Sequence, residues 1–94
     1  MDKKEAKLVL SGEMERMRQQ SYADLRQWAV ENQIESVMKA GPSGIGYQIE
    51  IVVRWDTKPE GALRVLGIID DGEMISSFNP ICDDFLLMPS GEIT

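Results

Sequence analysis

The side chains best placed to do chemistry are the six carboxylates after Arg64: Asp70, Asp71 and Glu73 around one turn, Asp83 and Asp84 further on, and Glu92 near the end. Paired carboxylates act as acid and base in glycoside hydrolysis, and carboxylate oxygens are ordinary ligands of calcium and magnesium. Turn geometry explains these residues more simply. Asp71-Gly72 forms one of the best two-residue hairpin turns, Asp83-Asp84 follows Pro80 into an expected loop, and the spacing departs from that of a calcium loop. We therefore expect no metal, no cofactor and no catalytic residue. Asp70, Asp71, Glu73, Asp83 and Asp84 remain candidates for contacting a partner.

Other residues narrow the chemistry further. The chain has no histidine, which removes Ser-His and Cys-His nucleophile pairs, histidine metal sites and the commonest general base. Cys82 is the single cysteine; with no histidine to activate it, it reads as a small buried hydrophobe. The loop Gly41-Pro42-Ser43-Gly44-Ile45-Gly46 is rich in glycine, but phosphate-cradling loops follow a strand and open a helix, commonly with Lys-Ser or Lys-Thr. This one leads into a strand and lacks the lysine, so it is expected to be a connector. An enzyme is not expected.

Charge points to the class of partner. The net charge is −6, yet residues 1–47 hold seven basic and seven acidic side chains, whereas residues 48–94 hold three basic and nine acidic ones. An acidic skew argues against nucleic acid, whose binding rests largely on Lys and Arg neutralising phosphates. A charged partner would be basic. No apolar run approaches the roughly 18 residues of a membrane span, and Met1 to Glu5 lead into no signal-peptide core, so a cytoplasmic protein without membrane contact is expected.

The elements that must position these groups begin with Tyr47 to Asp56. Tyr47, Ile49, Ile51, Val53 and Trp55 alternate with Gln48, Glu50, Arg54 and Asp56, the period of a strand with one buried face. Only Val52 breaks the polar set. Thr57 to Gly61 reads as a hairpin loop, with Gly61 free to take a left-handed conformation. Leu63 to Asp70 is the return strand, apolar on both faces and suited to a central position. Turning at Asp71-Gly72 would set Ile69 opposite Met74, Ile68 opposite Ile75 and Val65 opposite Phe78. Asn79-Pro80 should interrupt that third strand before a short last strand near Phe85.

Upstream, residues 1–7 read as a frayed start, and Leu8-Val9-Leu10 as a short edge strand or hydrophobic tuck. Ser11 offers a helix cap, with Glu13 and Glu15 in the first turn. Met14, Met17, Ser21, Leu25 and Trp28 form a stripe that predicts one helix over 12–32. Ser21 followed by Asp24 could instead cap a second helix. The stripe loses phase after Asn32, which leaves Gln33 to Met38 as a bent helix or a separate element.

At 94 residues the chain suits one domain. The expected fold is α+β in two layers: one long N-terminal amphipathic helix packed on an antiparallel meander of three or four strands over residues 47–88, with Trp28 meeting Trp55 between them. Three functions are compatible with it. The first is a small acidic inhibitor or immunity-type protein whose C-terminal half binds a basic protein such as a nuclease toxin. The second is a homodimer formed through the sheet face bearing Val52, Leu66, Ile68 and Ile75. The third is a carboxylate-based metal binder or enzyme.

Overall fold

The computed structural model describes residues 3–70 and 81–94. In chain order these residues form α1 (Lys3–Arg18), α2 (Tyr22–Glu31), β1 (Ile34–Ala40), β2 (Gly46–Trp55), β3 (Leu63–Asp70) and β4 (Ile81–Leu87). The strands make one sheet in the order β1-β2-β3-β4, every neighbouring pair antiparallel. Both helices cover the same face, α1 over β3 and β4 and α2 over β2 and β3. The fold is therefore the expected α+β two-layer meander, with four strands and a helical layer in two pieces.

The alternation in β2 works as its sequence demands. Tyr47, Ile49 and Ile51 are fully buried, Val53 nearly so, and Trp55 is half-buried at the margin of the same core, as is Trp28. Across the ladder Ile69 faces Ile49, Val65 faces Val53 and Leu63 faces Trp55. Phe85 and Leu87 of β4 complete the layer opposite Val65 and Leu63. Each such side chain contributes roughly 1.5–3 kcal/mol when fully buried, so the odd-numbered face of the sheet is the one that had to be covered.

At the middle of this face stands Gly67, opposite Ile51 and Asp83. A Cβ there would lie 2.6 Å from Met14 Sδ and 2.9 Å from Leu10 Cδ1. Glycine inside a strand often marks the close approach of another element; here that element is α1.

Several local expectations are corrected. Helix α1 begins at Lys3, so residues 3–7 are not frayed and Leu8-Val9-Leu10 is no strand. Ala6, Leu10, Met14 and Met17, spaced by four, four and three, are all buried and carry the stripe straight through Ser11-Gly12. Burial of Leu10 and its neighbours outweighs the roughly 1 kcal/mol that glycine costs within a helix. The single helix over 12–32 is in fact two. Ser21 caps α2, its Oγ accepting from the Asp24 N–H at 3.1 Å, and α2 ends at Asn32 in the left-handed region at φ 53°. Phase is lost after Asn32 because β1 begins at Ile34.

The third strand is corrected too. β3 pairs with residues 81–87, setting Ile69 opposite Ile81, Ile68 opposite Cys82 and Val65 opposite Phe85. β2 lies along the other edge of β3, whereas the hairpin expected from the sequence sets Met74, Ile75 and Phe78 against that strand. Those residues, the Asp71-Gly72 turn and Asn79-Pro80 lie outside the described residues.

Charged side chains fasten the helices to the loops. Glu5 accepts from Ser43 Oγ at 2.7 Å, Ser43 N–H at 3.1 Å and Tyr47 OH at 2.8 Å, tying the start of α1 to the β1–β2 loop. Glu13, 7% exposed, pairs with Arg16 at 3.1 Å and with Lys39 of β1 at 3.2 Å. Arg26 grips Glu60 with two hydrogen bonds of 2.6 and 2.7 Å, while Tyr22 OH donates to the Gly61 carbonyl at 2.7 Å. The left-handed residue of that loop is Glu60, at φ 67°, and not Gly61.

Two measurements check these contacts. Gly67→Ala is expected to lose about 1–3 kcal/mol in urea denaturation, because Leu10 and Met14 are buried and must be displaced; wild-type stability would mean that the helix lifts freely. The hydrogen bond from Arg26 holds the Glu60 carboxyl below its ordinary pKa. Its contribution is thus present above the usual carboxylate range and lost as pH falls through the lowered folded-state value. Glu60→Gln should melt below the wild type at neutral pH, by a margin that closes in acid. A margin unchanged with pH would assign the loss to something other than charge.

Candidate interaction surface

Even-numbered strand residues point away from the helices, and no element among the described residues covers them. On this open face Ile34 stands opposite Val52 and Val52 opposite Leu66, an apolar row that ends at Asp84. On one side of it run Ser36, Glu50, Ile68 and Cys82; on the other run Arg54, Arg64 and Leu86. Val52, Leu66, Ile68 and Leu86 are half-buried, whereas Ile34 is 58% and Met38 70% exposed.

The charges on this face divide into engaged and unengaged groups. Arg64 donates to Asp56 at 3.0 Å and also to Asp84. The bond to Asp56, with Asp84 adding to it, raises the guanidinium pKa further above its already high value. Arg54 sits directly across from Arg64, an unfavourable like-charge pair. Glu50 and Arg54 have no hydrogen-bond or ion-pair partner among the described residues. They flank Val52 in one strand at a separation of about 13 Å, too far to reach each other.

Among the described residues, the carboxylates singled out by sequence, Asp70, Asp83 and Asp84, do not all share one face. Asp70 closes β3 on the open face, and Asp71 and Glu73 lie outside the described residues. Asp83 and Asp84 are in β4 and not in a loop. As consecutive strand residues they point to opposite faces, Asp83 toward the helical layer opposite Gly67 and Asp84 outward to Arg64. Cys82 is exposed on the open face and not buried. Val52, Leu66 and Ile68 do come together there; Ile75 lies outside the described residues.

Glu50 and Arg54 were missed, although a signal for them existed. Val52 is the single apolar side chain in the polar set of β2, and a hydrophobe at that register with unlike charges two residues to either side marks an outward-facing apolar position.

Among the described residues no three His, Cys, Asp or Glu side chains are grouped to hold a metal ion, and no helix is long and apolar enough to cross a membrane. A dimple of about 80 Å³ between Asn32, Ile34, Val52 and Arg54 is well below the roughly 300–1,000 Å³ of a small-molecule site. It suits a side chain. Compared with known protein families, curated proteins and solved structures, the chain matches none.

Replacing Asp83 and Asp84 together by Asn should leave the circular dichroism spectrum unchanged and cost about 1 kcal/mol or less, since the exposed Arg64–Asp84 pair contributes little. A loss of several kcal/mol would mean that Asp83 is held by the helical layer.

Proposed function

We propose that this chain is a non-enzymatic protein-interaction domain whose working surface is the open face of its sheet. The observation that carries this reading is the apolar row Ile34–Val52–Leu66, bordered by Ile68 and Leu86 and lying on the face opposite both helices. Contiguous apolar surface rimmed by charge is what protein interfaces are built from. The dimple of about 80 Å³ beside Val52 supports the same reading, because it suits a partner's side chain better than a small substrate.

A second reading keeps the inhibitor or immunity-type role and a basic partner. Its support is the net charge of −6 together with the placement of Asp70 and Asp84 on this same face. The two readings share a surface and differ in its occupant.

The test is a Val52→Asp, Leu66→Asp double variant, compared with the wild type by thermal melting, light scattering and affinity capture from lysate. The expected outcome is a folded protein that has lost every specific association of the wild type. Associations retained at wild-type strength would overturn the reading. If instead Asp70→Asn with Asp84→Asn removes binding to a basic protein, the second reading is the correct one.

A further inference from the structure

We infer that the occupant of the open face is a second copy of this chain, packed sheet to sheet about a twofold axis that runs across the strands along the Ile34–Val52–Leu66 row. This rests on the reading of that face as the working surface and adds the identity and register of its partner. A twofold interface uses one patch twice, so the patch must be complementary to itself. With the axis lying over β2, the open face meets that condition in one orientation.

An axis parallel to the strands would lay Glu50 over Glu50 of the partner subunit and Arg54 over the partner's Arg54, two like-charge contacts. An axis across the strands at Val52 reverses the second β2 strand over the first. Val52 then meets its own copy, Glu50 meets the partner's Arg54, and Arg54 meets the partner's Glu50. Both side chains, which have no partner among the described residues, gain one, and Arg54 is compensated for standing opposite Arg64. Face-to-face sheets pack about 10 Å apart with strands within about 30° of one another. At two residues from the axis that angle displaces Glu50 and Arg54 sideways by about 3 Å, within reach of both side chains.

The apolar contacts follow the same axis. Ile34, 58% exposed, Val52 and Leu66 each stack on their own copies, while Ile68 lies over the aliphatic stem of the partner's Arg64 and Leu86 over the partner's Cys82. Asp84 ends the row and also approaches its copy, but Arg64 already neutralises it. A basic partner fits this face less well than a second copy, because it would set positive charge against Arg54.

The experiment is light scattering and sedimentation of the full chain over a range of concentrations. Wild type should rise from the mass of one chain toward two. Glu50→Arg and Arg54→Glu should each weaken association at least about tenfold, since each variant creates two like-charge contacts. An equimolar mixture of the two should associate as well as wild type, because every Glu–Arg contact is then restored across the mixed pair. The double variant should likewise recover self-association. Both positions are exposed, and circular dichroism reports that each variant is folded. Single reversals that associate as tightly as wild type would overturn the proposed register. A wild type that stays monomeric at high concentration would overturn the dimer. If that monomer still binds another protein in a way that Val52→Asp abolishes, the open face remains the working surface and only its occupant is wrong.

Discussion

The contact on which the structure depends is that of α1 with β3 at Gly67, where the strand presents no side chain and Leu10 and Met14 fill the space a Cβ would need. A two-layer domain has one interior, so an element allowed this close decides which face of the sheet becomes core. Once α1 rests on Gly67, the odd-numbered residues of β2, β3 and β4 are enclosed and the even-numbered ones are turned outward. Burying that one face supplies most of the stabilisation. The other face is a by-product of the same geometry, and the functional reading rests on it.

The charged side chains divide along the same line. Those near the helices are used within the chain: Glu5 on the β1–β2 loop, Glu13 between Arg16 and Lys39, Arg26 on Glu60. These contacts fix helix positions that short apolar stripes alone would leave loosely specified. On the open face Arg64 is satisfied twice over, while Glu50 and Arg54 have no partner among the described residues. On the proposed reading, the unlike charges on either side of the exposed apolar row are the groups that a second copy of the chain pairs. The excess of carboxylates is spread over both faces and over residues outside those described, and the face of interest carries both signs.

How much could be read beforehand depended on how local the cause was. The buried face of β2 and the central place of β3 were legible because alternation of side chains is a property of neighbouring residues. The division of the helical layer was legible in part: Ser21 with Asp24 is a capping signal, but the apolar stripe stays in phase across it, and phase alone does not reveal a break. β1 carries alternation so weak, with Glu35, Val37 and Lys39 on its inner side, that only pairing with β2 makes it a strand. The Asp71-Gly72 signal drew β3 toward an immediate hairpin, whereas its strand partner begins at Ile81. That choice is made by long-range apolar pairing of Val65 with Phe85 and Leu63 with Leu87, which turn propensity does not report.

What the sequence by itself determined is the class: an α+β domain, a strand with Tyr47, Ile49, Ile51 and Val53 inward, and no histidine to do chemistry. Only the tertiary structure decided which carboxylates stand together. Asp83 and Asp84 are adjacent in the chain and opposite in space, while Ile34, Val52 and Leu66, far apart in the chain, form one row. The physical reason is that the pleat separates neighbours at every residue, whereas the ladder between strands joins residues whose partners are set by burial elsewhere.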